Sequence, residues 1–172
     1  DHENPDGYAV TVTATETGTD GLASSNDIII TANDVNDSPT AVDLDTSDID
    51  ENSLGGAVVG TLSATDQDSG DSHSYTLSGT DAGQFEIVGD QLKLASNASV
   101  DFESKTSYAV TVTASDADGK SVSDDFTISV NDVNEAPTVG FTAAAIAENS
   151  AGIVVGDLTI NDEDTGDTHT LE

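Results

Sequence analysis

Two stretches of the chain, Asp34-Val35-Asn36-Asp37 and Asp132-Val133-Asn134-Glu135, gather oxygen ligands within four residues. Around them lie Asp1-His2-Glu3 and Asp101-Phe102-Glu103, Asp66-Gln67-Asp68 and Asp162-Glu163-Asp164, with Glu51 and Asp116 standing singly. Carboxylates brought to ~4 Å repel by about 4 kcal/mol per pair at an effective dielectric near ~20. Several of them converging on one place therefore need a counter-charge. The chain has no Arg, and its only fixed cations are Lys93, Lys105 and Lys120. Hard oxygen donors from Asp, Glu, Asn and backbone carbonyls, without thiolate or imidazole, suit Ca²⁺, which takes about six to eight oxygens in flexible geometry. Calcium is the implied cofactor.

The elements that must position these groups follow from an internal repeat. Asp34-Val35-Asn36-Asp37-Ser38-Pro39 returns 98 residues later as Asp132-Val133-Asn134-Glu135-Ala136-Pro137. Glu51-Asn52-Ser53 is matched by Glu148-Asn149-Ser150, and Tyr8-Ala9-Val10-Thr11-Val12-Thr13-Ala14 is identical to residues 108–114. Residues 1–38 thus read as the back of one repeat, 39–136 as a whole repeat and 137–172 as the front of a third. Within the whole repeat Tyr108, Val110, Val112 and Ala114 share one face of a strand, and Phe126, Ile128 and Val130 share one face of another. With shorter candidates at 42–44, 57–64, 74–78, 85–88 and 92–95, this predicts seven strands. Gly55-Gly56, Gly70-Asp71, Gly89-Asp90 and Asp118-Gly119 punctuate them as turns, and no segment carries a helical stripe. The expected fold is all-β, a Greek-key sandwich of the immunoglobulin-like kind. Neither partial repeat reaches about 40 residues, so neither is expected to form a stable sandwich alone.

Composition excludes other classes. Three Lys against 34 Asp plus Glu give a net charge of −31, which cannot neutralise phosphates, so neither nucleic acid nor an anionic membrane surface is an expected partner. No apolar run approaches the roughly 20 residues that span a bilayer, so this segment is not expected to insert. The absence of Cys removes disulfides, thiolate metal sites and thiol nucleophiles. No Gly-x-Ser-x-Gly elbow, phosphate loop or His-Glu-x-x-His is found, and catalysis is not expected. His73 and His169 occupy matching positions after Gly-Asp; calcium does not favour imidazole, so both read as exposed residues at strand starts. Asp20, Asp43, Asp45, Asp81 and Asp90 read as solvated turn residues.

The motifs and their order resemble the cadherin repeat, in the divergent form found in bacterial surface and secreted proteins. The resemblance covers nearly the whole chain. It implies that a first-strand Glu, an Asp-x-Glu loop, an Asp-x-Asn-Asp-Asn linker, an Asp-x-Asp loop and an Ala-x-Asp loop chelate three Ca²⁺ ions between successive repeats. Carried over, the first junction takes Asp1 and Glu3, linker residues Asp34, Asn36 and Asp37, and Asp66, Asp68 and Asp116. The second takes Glu51, Asp101 and Glu103, linker residues Asp132, Asn134 and Glu135, and Asp162 and Asp164. Ser38 and Ala136 stand where the family's linker usually ends in Asn, and Glu135 is longer than the usual Asp.

The resemblance implies a segment of an extracellular adhesin or stalk, secreted or at the cell surface, whose linkers calcium rigidifies. Neighbouring repeats of the same chain would be its first partners, with homophilic protein contacts or polysaccharide beyond them. A millimolar calcium requirement agrees with a site outside the cell. Two other readings are a passive spacer and a carbohydrate-binding module; the second needs an aromatic platform, for which only Tyr75 and Phe141 look free.

Overall fold

The structure is a computed structural model and describes residues 8–18, 20–33, 35–149 and 151–171. Among these, the strands in chain order are β1 (Tyr8–Thr15), β2 (Ala23–Ile30), β3 (Ala41–Leu44), β4 (Asp48–Asp50), β5 (Val58–Thr65), β6 (Ser74–Ser78), β7 (Phe85–Val88), β8 (Gln91–Leu94), β9 (Ser107–Ser115), β10 (Ser121–Asn131), β11 (Thr138–Ala143) and β12 (Gly156–Asn161). β3 to β10 make two four-stranded sheets, ordered β4-β10-β9-β6 and β3-β5-β8-β7. They pack face to face as a β-sandwich, the architecture that alternating strands without helices require.

The alternation written in β9 is what builds the core. Tyr108, Val110, Val112 and Ala114 are buried, and the residues between them are not. Opposite them lie Val42, Val59 and Leu62 from β3 and β5 and Leu92 and Leu94 from β8, while Ile128 and Val130 of β10 continue the same layer. Phe85 meets Tyr108 edge to face, with ring centroids 5.7 Å apart. Lys105 covers the outer side of Tyr108, its Nζ 4.6 Å from the ring centroid, and pairs with Asp81 at 2.5 Å.

Eight strands, not seven, span residues 41–131. The additional one is β4, three residues long and therefore too short to show a period; only Ile49 in it is apolar, and it is buried. β3 and β4 belong to one stretch of chain that changes sheets, β3 pairing antiparallel with β5 and β4 running parallel to β10. The change of sheet is pinned by polar contacts. Asp45 Oδ1 accepts the Thr61 amide at 2.6 Å, and Thr46 Oγ1 donates to the Val59 carbonyl at 2.6 Å. The ladder between β5 and β8 shifts between Val58 and Gly60, and a Cβ on Gly60 would sit 2.3 Å from the Thr46 carbonyl oxygen, so this bulge admits only glycine. β10 also begins at Ser121, earlier than its apolar alternation, because the ladder to β9 runs on to Ser121 opposite Ser115.

Two of the acidic residues expected in solvated turns are structural acceptors instead. Asp45 holds the sheet change, and Asp81 accepts both the Lys105 ammonium and, at 2.8 Å, the Ala109 amide. On either side of the sandwich lies a two-stranded antiparallel sheet, β1–β2 and β11–β12. In β1–β2 the residues Tyr8, Val10, Val12, Ile28 and Ile30 share one face and are exposed. No helix among the described residues is long and apolar enough to cross a membrane.

Ile128 is fully buried between the sheets, whereas Ile29 on β2 is 69% exposed. Ile128→Ala is expected to lower unfolding stability by about 2–5 kcal/mol in urea titrations, and Ile29→Ala to change it by less than about 0.5 kcal/mol.

Candidate metal centres at the two linkers

Each linker, at 35–38 and 132–136, meets the sandwich at a different end, and the same hydrogen-bond pattern is built twice. At the first, Asn36 Nδ2 donates to the Asp37 carbonyl at 2.6 Å; at the second, Asn134 Nδ2 donates to the Glu135 carbonyl at 3.0 Å. The Asp37 amide donates to Asp68 Oδ2 as the Glu135 amide donates to Asp164 Oδ2. The Asp68 amide reaches Asp66 Oδ1 at 3.2 Å and the Asp164 amide reaches Asp162 Oδ1 at 3.3 Å, which curls each Asp-x-Asp loop around its own carboxylates. Asn in the linker therefore shapes the turn with its amide while leaving its carbonyl oxygen for another donor or a cation.

At the first junction Asp116 is buried in the turn that joins β9 to β10. Its Oδ2 accepts Asn36 Nδ2 at 2.9 Å and its Oδ1 accepts the Lys120 amide at 2.8 Å. Asp66, Asp71 and Asp116 each offer a carboxylate oxygen, and these lie within 4.8 Å of one another. The hydrogen bond from Asn36 lowers the Asp116 carboxyl below its usual range, and His73 does the same to Asp66. Asp71, with no such donor, is raised, first by burial and then by the charges of Asp68, Asp66 and Asp116. Lys120 Nζ donates to the Asn36 carbonyl.

At the second junction Glu51 is the most enclosed carboxylate, 4% exposed. It ties two segments together: Oε2 accepts the Phe102 amide at 2.9 Å and Oε1 the Val133 amide at 2.8 Å. Asn52 follows in the left-handed region at φ 58°, which an asparagine tolerates better than most side chains, and its Nδ2 donates to Glu135 Oε1. Asp101 is turned into its own loop, accepting the Ser104 amide at 2.9 Å and hydroxyl at 2.8 Å, which lowers its carboxyl. Glu103 is the hub. It lies within 4.8 Å of Glu51 and Asp101, of Asp132 and Asp164, and of Glu135 and Glu163 in three overlapping groups.

Glu103, Asp132 and Glu135 are all raised, in each case first by burial; the largest like-charge contributions come from Glu51 on Glu103 and Glu135 and from Asp164 on Asp132. Glu135 Oε2 and Asp162 Oδ2 are buried without a hydrogen-bond donor. His169 Nε2 stands 3.1 Å from that Asp162 oxygen but out of hydrogen-bond alignment. Orphaned acceptor oxygens inside a cluster of like charges are what a hard cation would satisfy.

Among the residues singled out in the sequence, Glu51, Asp101, Glu103, Asp132, Glu135 and Asp164 converge at the second linker and Asp66 and Asp116 at the first. Asn36, Asp37, Asp68, Asn134 and Asp162 join through the hydrogen bonds above. Asp37 joins by its backbone, and its carboxylate enters no such cluster among the described residues. Asp1, Glu3 and Asp34 lie outside the described residues. Asp71, Glu163 and Asn52 were not expected. Asp71 reads in sequence as a turn residue and Glu163 as the spacer of Asp-x-Asp; their repeat neighbourhood was the available signal.

The histidines and Tyr75 are corrections. His73 is half-buried, its Nε2 2.9 Å from Asp66 Oδ2, so its position after Gly-Asp serves a ligand loop rather than a strand start. His169 takes the matching place against Asp162 and stands outside any strand. Tyr75 packs against the core, and burial raises its hydroxyl pKa. Of the two aromatics expected to be free, only Phe141 is exposed.

The Cadherin domain family matches residues 45–131, half of the chain. The chain belongs to the cadherin domain family. Among curated relatives, human protocadherin gamma-A8 is 30% identical over 96% of this chain and 19% of its own length. Human protocadherin Fat 1 is 31% identical over 96% of this chain and 4% of its own. This cadherin chain thus spans a fifth or less of these relatives. Among solved structures, the protocadherin gammaB7 EC3-6 cis-dimer matches 96% of this chain and 42% of its own at 30% identity and a TM-score of 0.59. Mouse cadherin-23 EC22-24 matches 96% and 56% at 27% identity and 0.62. Family membership makes the chain an extracellular, adhesion-type repeat segment and not an enzyme.

Because folding raises the Glu135 carboxyl, its ionisation opposes the folded state: its contribution is present below the unfolded-state pKa and lost as pH rises through the folded one. In EDTA, Glu135→Gln is expected to melt at a higher temperature than the parent at pH 7, with the difference closing as the pH falls through the carboxylate range. Thermal unfolding followed by circular dichroism from pH 3.5 to 7.5 checks it.

Proposed function

We propose that this chain is a segment of an extracellular adhesin or stalk in which Ca²⁺ held at the two inter-repeat linkers fixes the orientation of successive repeats. The observation that carries the reading is the second linker. There Glu103 stands among carboxylates from both sides of the linker while two buried acceptor oxygens, on Glu135 and Asp162, lack donors. The proposed ligands are Glu51, Asp101, Glu103, Asp132, Asn134, Glu135, Asp162 and Asp164 there, and Asp1, Glu3, Asp34, Asn36, Asp37, Asp66, Asp68 and Asp116 at the first linker. The donor set is all oxygen, which fits a hard cation and disfavours zinc. Bound calcium would supply the positive charge that these loops lack.

The corresponding division is 1–38, 39–136 and 137–172, with each cation set drawn from both sides of a linker. A site assembled that way binds only when both repeats are correctly placed, so metal binding and linker rigidity are one equilibrium. Homophilic contact is the proposed mode of adhesion, supported by the gammaB7 relative having been solved as a cis-dimer. The relatives named above come from animals; a bacterial surface origin is proposed from the departures in the linkers, Ser38 and Ala136, and from an Arg-free composition.

Isothermal titration is expected to show several calcium sites with dissociation constants of roughly 10⁻⁴ to 10⁻³ M, with Mg²⁺ failing to reproduce them. Glu103→Ala should abolish binding at the second linker and leave the first intact, and Asp116→Ala should do the reverse. Unchanged stoichiometry in both variants would contradict the assignment.

A further inference from the structure

The first linker holds a cation of the chain's own. The chain has three fixed cations; Lys105 is committed to Asp81 and Tyr108, and Lys93 lies on β8, cross-strand from Glu86. The third, Lys120, ends the turn between β9 and β10 and reaches the first linker, where its Nζ donates to the Asn36 carbonyl. The same side chain's backbone closes on the acidic loop: the Lys120 amide donates to Asp116 Oδ1 at 2.8 Å and its carbonyl accepts the Asp116 amide at 3.0 Å. Asn36, gripped by the ammonium at its carbonyl, is held at its side chain by Asp116 Oδ2 at 2.9 Å. Linker and sandwich are thus clasped by a cation and a carboxylate acting on one residue.

We infer that Lys120 clasps Asn36 at the first linker in the absence of metal and, as a fixed positive charge beside the acidic loops there, opposes the entry of divalent cations. The first junction is then partly ordered without calcium and binds it more weakly than it would without the ammonium. An ammonium offers three donors and a single charge, so it can hold a carbonyl but cannot gather six or more oxygens. It therefore substitutes for the tether and not for the full cage. The half of the inference that concerns divalent cations rests on the calcium reading above; the metal-free half does not.

The chain has no cysteine, so Ser25→Cys on β2 and Ser63→Cys on β5 would carry spin labels that report the distance across the first linker. In EDTA, Lys120→Gln is expected to broaden that distance distribution, Lys120→Arg to restore it, and Lys93→Gln, which removes the same charge elsewhere, to leave it unchanged. Under calcium titration, Lys120→Gln should tighten binding at the first linker by about two- to fivefold, the span of an exposed ion pair, relative to Lys93→Gln. An EDTA distribution unmoved by Lys120→Gln overturns the clasp. Calcium affinity identical in Lys120→Gln and Lys93→Gln overturns the opposition to divalent cations. A parent that binds no calcium refutes the reading of the linkers as calcium sites, and the EDTA distances still decide the clasp.

Discussion

Repulsion among carboxylates at the linkers is the constraint on which this molecule turns. The sandwich itself is closed mainly by aliphatic side chains from two sheets. At its two ends, however, loops bring carboxylate oxygens within 4.8 Å of one another. Burial and neighbouring charge raise Glu103, Asp132 and Glu135. In the proposed reading, a cation at each linker relieves that repulsion. The hydrogen bonds from backbone amides to Glu51, Asp68 and Asp164 hold the loops in place but bring no net charge.

Each end meets that constraint partly with groups of its own. Around the first linker, donors within the chain take part of the load: Asn36 on Asp116, His73 on Asp66 and the Lys120 ammonium on the Asn36 carbonyl. Around the second, backbone amides serve Glu51, Asp164 and Asp162 Oδ1, Ser104 serves Asp101 and Asn52 serves Glu135, while Glu135 Oε2 and Asp162 Oδ2 are left without a hydrogen-bond donor.

Much of this was legible in the sequence because the relevant periods are short. The two-residue period in Tyr108 to Ala114 dictates a strand with a buried face, and the 98-residue recurrence of the Asp-x-Asn motif marks the linkers. What was hidden depends on contacts that no period encodes. β4 is three residues long, with a single buried side chain, and only its pairing with β10 makes it a strand. Asp45 and Asp81 resemble any exposed acid until their amide partners are known. Asp71 and Glu163 enter the clusters through loop curvature set by neighbouring amides, and His73 lies on Asp66 because that loop folds back on itself. Lys120 stands 84 residues from its partner Asn36, beyond the reach of any local pattern.

Amide-resolved nuclear magnetic resonance of the ¹⁵N-labelled chain, recorded in EDTA and then in millimolar Ca²⁺, tests the central claim most directly. The account predicts shifts concentrated in residues 35–38, 66–73 and 116–120 at one end and 51–52, 101–104, 132–136 and 162–169 at the other, with β7 and β8 nearly still. Shifts spread evenly over the acidic surface, or reproduced in full by Mg²⁺, would mean diffuse charge screening and would contradict it.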